Sequence, residues 1–325
     1  MQVLEDLSAD VPRGVVATVG NYDGLHLGQQ AILSKVVERA RTLDLPSVVI
    51  GFEPHPLAVL RPEAVPPRLL TLAQKQALLG ELGMDFLVLA RFTPELARTS
   101  AEGFVREVLA GRLGIRELYV GEDWSFGHER EGNLALLGRM GAELGFTASG
   151  VPQVIWRGER ISASRIRRAI LEGAIDEAAE MLGRPYSVTG KIARGDRMGK
   201  RIGWPTINLD PDSELLPGDG VYAGRVHFPS FPATFDCATN VGTRPTVYEN
   251  YRRVVESHVL DFSADVYGQR VEIFFLRRLR SEKIFANVMD LSAQIRRDVE
   301  ATREYFAARR RSEQGGELRG SADPE

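Results

Sequence analysis

The sequence has almost no cysteine: Cys237 is the single one among 325 residues. One thiol cannot form a disulfide within the chain, which fits a reducing compartment. No apolar run approaches the about 18 residues that a membrane helix needs. The opening MQVLEDLSADVPRG has neither a basic region nor an apolar core, so we expect no secretion signal. These absences predict a cytoplasmic protein that does not enter a membrane.

The chain also lacks an excess of charge of one sign. Its formal net charge is −3, with 41 Lys and Arg against 44 Asp and Glu, which argues against a general binder of nucleic acid or membrane surfaces. The histidines are scattered along the sequence, at His26, His55, His128, His227 and His258. None has metal-ligand spacing and no cysteine pair accompanies them, so we expect no zinc site.

A chain of 325 residues is long enough for two domains. In the first half, apolar β-branched runs at 14–20, 47–52, 85–92 and 117–121 alternate with helical patterns. The helical patterns cover 29–42, 72–82, 101–113, 134–144, 162–172 and 175–182. Such alternation predicts a parallel sheet with ligands at the carboxyl ends of its strands.

The alternation of strand and helix patterns ends at Gly183-Arg184-Pro185. Beyond it, β-rich runs at 186–192, 220–228, 254–262 and 271–276 are separated by Gly, Pro and Asp, which predicts an antiparallel barrel or sandwich. An amphipathic helix follows at about 288–310, with Leu291, Ile295, Val299 and Phe306 near one face. We therefore expect domains at 1–183 and 184–310, and a disordered polar tail at 311–325.

The first candidate site is the segment GNYDGLHLG at 20–28, between the first strand and the first helix. Its glycines allow a ligand close to the backbone, and the following helix N-terminus favours phosphate. His26 at that point could donate a hydrogen bond and stabilise charge growing at an α-phosphate. The segment is neither the dinucleotide motif nor a Walker A loop, and glycine spacing alone favours a plain turn with a surface histidine.

Two later segments strengthen the phosphate interpretation. FEPHP at 52–56 ends the second strand, where His55 could equally be a loop histidine held by prolines. ISASRIR at 161–167 opens a helix, and hydroxyls with an arginine at a helix start form a phosphate cradle. Ser162 would also serve as the N-cap of that helix.

The second candidate site is GDRMGKRIGWPTIN at 195–208. It is one residue short of a Walker A loop, and Arg201 stands where Ser or Thr is required. A glycine-rich flap with Arg197, Lys200 and Arg201 could still cover polyphosphate. Thr206 and Asn208 are two apart, so they share one face of an extended strand and offer oxygen ligands for Mg²⁺ with nucleotide. Taken alone, the pair is as expected for a polar turn.

Together these motifs resemble the bacterial bifunctional riboflavin kinase and FAD synthetase family, from about Val15 to about Asp298. The first segment is similar to the family's G-x-F-D-G-x-H-x-G-H, with Tyr22 for Phe. GEDWSFG at 121–127 resembles G-x-D-F-x-F-G. The family's S-S-T-x-x-R appears as Ser162, Ala163, Ser164 and Arg167. Two positions depart from the family: Gln29 replaces the second histidine, and Ala163 replaces the second serine.

The resemblance implies an α/β Rossmann-like nucleotidyltransferase domain with a parallel sheet, followed by an antiparallel β-barrel kinase domain with a C-terminal helix. In the first domain His26 would be catalytic, and Asp123 and Phe126 would bind flavin. Its implied nucleotide-binding residues are Gly20, Tyr22, Asp23, Gly24, Gly28, Gln29, Ser162, Ser164 and Arg167.

In the second domain, GWPTIN at 203–208 resembles the flavokinase G-x-P-T-A-N, so Thr206 and Asn208 would bind Mg²⁺ and ATP. VESHVLD at 255–261 resembles the strand with the catalytic glutamate. Glu256 would be the general base for the riboflavin 5′-hydroxyl, although most strand glutamates are merely solvated. The resemblance also implies flavin contacts for Arg280 and Phe285 and nucleotide contacts for Gly195, Lys200, Gly203 and Pro205.

We therefore expect an enzyme that phosphorylates riboflavin to FMN and adenylylates FMN to FAD, with ATP as co-substrate and Mg²⁺ as cofactor. Its partners would be small molecules, without nucleic acid or membrane, and it would be a monomer or a weak homo-oligomer. One alternative is a riboflavin kinase whose FAD synthesis is weakened or lost through Gln29 and Ala163. Another is a nucleic-acid module using the arginines of the last helix, but the acidic side chains Asp298, Glu300 and Glu304 on that helix favour a solvated face.

Overall fold

The computed structural model describes residues 1–7, 11–194, 198–244 and 252–317. The chain divides into two compact units, Met1–Ala163 and Ser164–Glu325. The helices are α1 (Leu27–Leu43), α2 (Pro56–Leu60), α3 (Leu72–Glu81), α4 (Pro94–Ala97), α5 (Ala101–Phe104), α6 (Leu134–Leu144), α7 (Ala163–Glu172), α8 (Ile175–Leu182), α9 (Met198–Arg201) and α10 (Val288–Glu317).

The first unit is built on a parallel six-stranded sheet with the order β1-β4-β3-β2-β5-β6. Its strands are β1 (Gln2–Leu4), β2 (Val16–Val19), β3 (Ser47–Glu53), β4 (Phe86–Arg91), β5 (Glu117–Gly121) and β6 (Thr147–Val151). A short hairpin, β7 (Ile155–Trp156) with β8 (Glu159–Arg160), follows the sheet. The parallel sheet expected from the strand–helix alternation is confirmed.

Two apolar cores cover the two faces of this sheet. Successive strand residues point to opposite faces, so Val16 packs with Leu33 of α1 while the neighbouring Ala17 packs with Leu109 and Leu137 on the other side. The central strands are buried almost throughout because both faces are covered. The edge strands β1 and β6 were not expected, since β1 is three residues long and β6 is half exposed.

The helix expected at 101–113 forms in two parts. It begins as α5 (Ala101–Phe104) and continues as a π-helix over Val105–Arg112. The apolar residues Phe104, Val105 and Leu109 face the core in both parts. The periodicity therefore located the helix, but it did not reveal the change in hydrogen-bond pattern.

The second unit contains a closed antiparallel barrel with the order β10-β13-β12-β11-β14-β9. Its strands are β9 (Tyr186–Ala193), β10 (Ile207–Pro211), β11 (Gly220–His227), β12 (Thr234–Arg244), β13 (Arg252–Val259) and β14 (Arg270–Arg280). The sequence pattern predicted either an antiparallel barrel or a sandwich, and the structure shows the closed barrel. Alternate residues such as Val255, Ser257 and Val259 are buried inside it. The helix α8 packs on β9 and β14, so it belongs to the barrel's unit although we predicted a boundary after it, at 183/184.

The last helix, α10, packs on β11, β12 and β14. It buries Val299 and Phe306 as expected, and also the polar residues Asp298 and Thr302. It continues to Glu317, so the tail that we predicted to be disordered from 311 is helical over its first part. The helix therefore runs past the end at about 310 that the sequence predicted. No helix in the described part of the chain combines the length and apolar character needed to cross a bilayer.

Candidate active sites

A cavity of about 470 Å³ lies at the carboxyl edge of the parallel sheet. The last residues of β2, β5 and β6, which are Val19, Gly121 and Val151, all line it. This is the edge at which open α/β sheets bind ligands. Seven of the residues predicted for the first site line the cavity: Gly20, Tyr22, His26, Gly28, Gln29, Asp123 and Ser162.

The loop between β2 and α1 makes a tight turn beneath this cavity. Tyr22, Gly24 and Leu25 have φ angles of 46°, 91° and 45°. The Tyr22 ring is buried, and its hydroxyl is hydrogen-bonded to that of Thr18. Burial raises the pKa of Tyr22, and the Thr18 hydrogen bond opposes that rise only in part. Tyr22 thus packs below the loop and holds Gly20 in place, where a Cβ would lie 3.2 Å from the ring.

His26 is the N-cap of α1 and is 8% exposed. Its Nδ1 accepts a hydrogen bond from the backbone N–H of Gln29 at 3.3 Å. In the neutral ring the proton is therefore on Nε2, a tautomer assigned from the hydrogen bonds. The Nε2–H is the donor through which His26 could bind a phosphate oxygen at this positive helix end.

Gln29 completes a reciprocal cap with His26. Its Oε1 accepts a hydrogen bond from the His26 backbone N–H at 3.3 Å. The side chain lines the cavity, but its carbonyl is committed to the helix start. Only the amide NH₂ group of Gln29 is left as a donor toward a ligand, and it carries no charge.

Two predicted nucleotide-binding residues, Asp23 and Gly24, do not line the cavity. The Asp23 carboxylate instead accepts a hydrogen bond from the backbone N–H of Leu69 at 3.0 Å. Nearby, Lys75 Nζ donates to the Asn21 carbonyl at 2.8 Å, and burial lowers the pKa of this lysine. These contacts anchor the loop from its other side, in a small cavity that is also lined by His55.

The predicted flavin contact Phe126 lies in the core rather than on the cavity wall. Its neighbour Trp124 lines the cavity and stacks on Phe126, with ring centroids 4.6 Å apart and planes 13° apart. Phe126 was assigned to the flavin from the sequence and Trp124 was given no role, whereas the structure places Trp124, and not Phe126, on the cavity wall. Asp123 lines the cavity and is ion-paired with Arg160, another lining residue that sequence reasoning missed.

The other predicted phosphate residues near this site are Ser164 and Arg167. Both lie on α7 in the second compact unit, whereas the described lining of the cavity ends at Ala163. Their assignment to the nucleotide therefore stays a prediction.

The second cavity has a volume of about 250 Å³ and lies on the outer face of the barrel. Val255 and Ser257 point into the barrel, whereas Glu256 and His258 line the cavity. Leu291 and Ile295 of α10 cover it from outside. Five residues predicted for the kinase site line it together: Thr206, Asn208, Glu256, Arg280 and Phe285.

The strand register places several lining residues in one row across the barrel. Asn208 on β10 is opposite Glu256 on β13, which is opposite Asn240 on β12. The row continues through Val221 on β11 to Arg280 on β14. Directly opposed side chains lie on the same face and about 4.5–5.5 Å apart at Cβ. Asn240 was missed as a site residue, because only the register shows that it flanks Glu256.

Thr206 and Asn208 share a face, because Ile207 between them is buried while both of them line the cavity. A hydroxyl and an amide carbonyl are hard oxygen ligands of the kind Mg²⁺ prefers, so these residues fit such an ion. Gly199 packs closely there: a Cβ would meet the Trp204 carbonyl at 2.3 Å and Thr206 Oγ1 at 3.1 Å. Among the described residues, no group of three or more His, Cys, Asp or Glu could hold a metal.

Other parts of the predicted nucleotide site are only partly described. Gly195 and Arg197 lie outside the described residues, as does the side chain of Lys200. Gly203 and Pro205 are exposed and do not line the cavity, although Trp204 between them does.

Arg280 has a structural partner that the sequence did not reveal. Its guanidinium makes two hydrogen bonds of 2.8 Å to the carboxylate of Asp298, and the two side chains are 16% and 8% exposed. Gln294 donates to the same carboxylate at 2.9 Å, and Phe285 lies 5.9 Å from the guanidinium. Arg280 thus ties β14 to α10 at the wall of the cavity.

Glu282, which also lines this cavity, has a raised pKa, because burial and the charge of Asp219 disfavour its ionised form.

Two arginines of the basic face of α10 pair with acids of the barrel unit. Arg303 makes two hydrogen bonds to Asp261, at 2.6 and 2.8 Å, and Arg310 lies 3.3 Å from Asp236. Arg303 and Arg310 are thus paired with carboxylates, whereas a nucleic-acid-binding surface would use such arginines to contact phosphate.

Comparison with known proteins matches these two sites to two enzyme families. Residues 8–165 match the FAD synthetase family and residues 182–306 match the riboflavin kinase family. The first match includes the cavity at the sheet edge, and the second includes the cavity on the barrel.

Relatives with both parts cover almost the whole chain. The bifunctional riboflavin kinase/FMN adenylyltransferase of Escherichia coli K12 is 35% identical over 93% of this chain and 96% of its own length. The protein of that name from Pseudomonas fluorescens is 38% identical over 91% of this chain and 94% of its own length. The chain therefore belongs to the bifunctional riboflavin kinase/FMN adenylyltransferase family.

A solved structure shares the architecture. The crystal structure of a protein from Streptococcus pneumoniae, described as a macrolide-efflux protein, is 27% identical with a TM-score of 0.85. The match covers 93% of this chain and 98% of that one. The two-part fold is thus found in a crystal structure, and the efflux named for that protein is not carried over to this chain.

Proposed function

We propose that this protein makes both flavin cofactors, phosphorylating riboflavin to FMN in its second unit and adenylylating FMN to FAD in its first, with ATP in each step. The observation that carries the proposal is the convergence of Thr206, Asn208 and Glu256 on one cavity, within the residues that match the riboflavin kinase family. The first cavity, with His26 at its helix start, lies within the FAD synthetase match.

In the kinase step, Glu256 accepts the proton of the riboflavin 5′-hydroxyl as its oxygen attacks the γ-phosphorus of ATP and ADP leaves. Glu256 suits this role because it is directly flanked by Asn208 and Asn240 in the cavity wall. Arg280 and Phe285 line the same cavity, and we assign them to the flavin.

We assign Mg²⁺ to Thr206 and Asn208. When bound, the ion neutralises phosphate charge and orients the nucleotide. The protein's contribution is the rigid placement of the two oxygens: Asn208 is held by the ladder to β13, and Thr206 by its close packing on Gly199.

In the adenylylation step, a phosphate oxygen of FMN attacks the α-phosphorus of ATP and pyrophosphate leaves. We assign His26 to stabilising the charge that grows on the α-phosphate, by donation from Nε2. The stacked surface of Trp124 and the carboxylate of Asp123 line the same cavity, and we assign them to the flavin side.

A riboflavin kinase with weakened FAD synthesis is the second candidate. The observation that favours it is the capping role of Gln29, whose carbonyl is bound to His26 N–H and whose amide is uncharged. We place the enzyme in the cytoplasm, because one buried cysteine fits a reducing compartment, and we propose that it acts as a monomer or weak homo-oligomer.

The test is to incubate the full chain with riboflavin, ATP and Mg²⁺ and to separate riboflavin, FMN and FAD by chromatography over time. Formation of FMN followed by FAD is expected. FMN without FAD would leave the kinase assignment and remove the adenylyltransferase, whereas no FMN would overturn the proposal. Supplying FMN directly tests the first unit without relying on the second.

A further inference from the structure

His258 lies next to the kinase machinery but has no role in the proposed chemistry. It is two residues beyond Glu256 on β13, so both side chains are on the same face of the strand. Both line the barrel cavity together with Thr206 and Asn208.

His258 makes a direct hydrogen bond to the segment that precedes the proposed metal ligands. Its Nδ1 lies 2.8 Å from the carbonyl oxygen of Pro205. A carbonyl can only accept, so Nδ1 carries the proton and donates. The ring also meets Trp204 edge to face, with centroids 5.4 Å apart and planes at 83°.

This bond anchors a residue that the barrel itself does not hold. The pairing of β10 with β13 begins at Ile207 opposite Ser257, so the ladder fixes Asn208 but ends before Thr206. In that register, Thr206 would come opposite His258. The side chain of His258 thus supplies an anchor where backbone pairing stops, one peptide before the Thr206 hydroxyl.

We propose that His258 is a positioning residue of the kinase site: its Nδ1–H holds the Pro205 carbonyl and thereby fixes Thr206 relative to Asn208 and Glu256. The inference rests on the proposed function for the roles of Thr206, Asn208 and Glu256. The hydrogen bond from His258 to the Pro205 carbonyl is observed independently of that function. A metal ion bound by two side chains is sensitive to the placement of either, so loss of the anchor should weaken metal binding more than it alters the proton transfer.

Three substitutions separate the hydrogen bond from the ring. His258→Asn keeps an amide donor near the position of Nδ1. His258→Gln moves the donor toward the position of Nε2, and His258→Phe keeps a ring against Trp204 without any donor. If the Nδ1–H is the anchor, the Asn variant should behave like wild type within about twofold, whereas the Gln and Phe variants should need about tenfold more Mg²⁺ for half-maximal FMN formation, as expected for the loss of one hydrogen bond.

A second measurement does not depend on turnover. Binding of Mn²⁺ in the presence of ADP, followed by the paramagnetic signal of free Mn²⁺, can be compared between full-length wild type and the variants. The first unit is identical in all of them, so any difference arises in the second. Weaker Mn²⁺ binding in the Gln and Phe variants with recovery in the Asn variant is expected.

Ser292→Ala is the matched control. It removes the hydrogen bond of 3.1 Å from Trp204 Nε1 to Ser292 Oγ, a different tether of the same segment, and leaves His258 in place. Its Mn²⁺ binding should stay near wild type. Equal binding by all three His258 variants, equal impairment of the Asn and Phe variants, or equal impairment of Ser292→Ala would overturn the inference. Absence of FMN formation by wild type would instead count against the proposed function. The Mn²⁺ comparison would still decide the role of His258, because it does not depend on turnover.

Discussion

Asn208 and Glu256 occupy directly opposed positions on the neighbouring antiparallel strands β10 and β13, and both line the cavity on the outer face of the barrel. A proposed metal ligand and a proposed general base are thereby held at cross-strand distance by backbone hydrogen bonds rather than by loops. The rigidity of the sheet is the physical basis for precise placement of the two groups.

The role of Glu256 is tested by Glu256→Gln, which keeps the shape of the side chain and removes the base. A general base contributes about 10²–10⁴-fold, so kcat for FMN formation should fall within that range while ATP affinity stays nearly unchanged. Steady-state kinetics with varied ATP and riboflavin measures both. An unchanged kcat would mean that Glu256 is only a strand carboxylate.

The metal assignment is tested by Thr206→Ala and Asn208→Ala. Each removes one oxygen ligand, so FMN formation should fall to background, while conversion of supplied FMN to FAD continues at the rate of wild type. Asp210→Ala, two residues further along β10, is the control, because Asp210 is exposed and outside the cavity. FMN production at the wild-type rate by either alanine variant would refute the assignment.

The buried pair of Arg280 and Asp298 leads to a prediction about stability. Asp298→Ala leaves the guanidinium of Arg280 largely buried without its partner, which should cost about 3–5 kcal/mol of unfolding free energy. Arg303→Ala breaks the exposed pair with Asp261, whose side chains are 51% and 73% exposed, and should cost much less. Denaturant unfolding, followed for the transition that involves the barrel, measures the difference. Similar costs for the two variants would show that burial does not strengthen the inner pair.

The boundary between the two parts is tested with fragments that begin at 164 and at 184. The longer one retains α8, whose buried Ala178, Met181 and Leu182 belong to the second unit. Both fragments should phosphorylate riboflavin and make no FAD, but the shorter should unfold at a lower temperature because it exposes the apolar surface beneath α8. A shorter fragment that is folded and as stable as the longer would place the boundary at 183/184, as the sequence predicts.

The spacing of apolar residues along the sequence correctly predicted the strands and helices in which that spacing is regular. The strand at 117–121 and the helices at 134–144 and 175–182 have the predicted bounds, because their apolar spacing is regular and their ends are marked by glycine or asparagine. Thr206 and Asn208 were predicted to share a face because they are two residues apart in an extended segment, and both line the barrel cavity.

Residues that act through long-range pairing were missed. Asn240 and His258 reach the kinase cavity only through the register of β12, β13 and β10, which no local pattern contains. Arg280 was assigned to the flavin alone because its partner Asp298 is 18 residues away on another element. Phe126 was assigned to the flavin by the resemblance of its motif, and a motif does not show that the ring packs in the core of the first unit.

The first unit leads to a prediction about the order of the two products. His26 and Gln29 form a reciprocal cap, so one ring nitrogen of His26 and the carbonyl of Gln29 are both committed to the start of α1. A charge-assisted hydrogen bond is about twice as strong as a neutral one, and loss of one transition-state donor costs roughly 10²–10³ in kcat. Because Gln29 offers only a neutral amide, FMN should accumulate before FAD in a time course that starts from riboflavin.

Substitutions at the same cap separate its two members. His26→Ala should remove FAD formation and leave the kinase intact, since the cap lies wholly in the first unit. Gln29→His should speed adenylylation only if the imidazole also accepts the His26 N–H, because otherwise the helix start loses a capping bond worth about 1 kcal/mol. Adding Ala163→Ser should change the rate non-additively, since neighbouring groups that bind one ligand are coupled. FAD formation faster than FMN formation in wild type, or intact FAD synthesis in His26→Ala, would contradict this account of the first cavity.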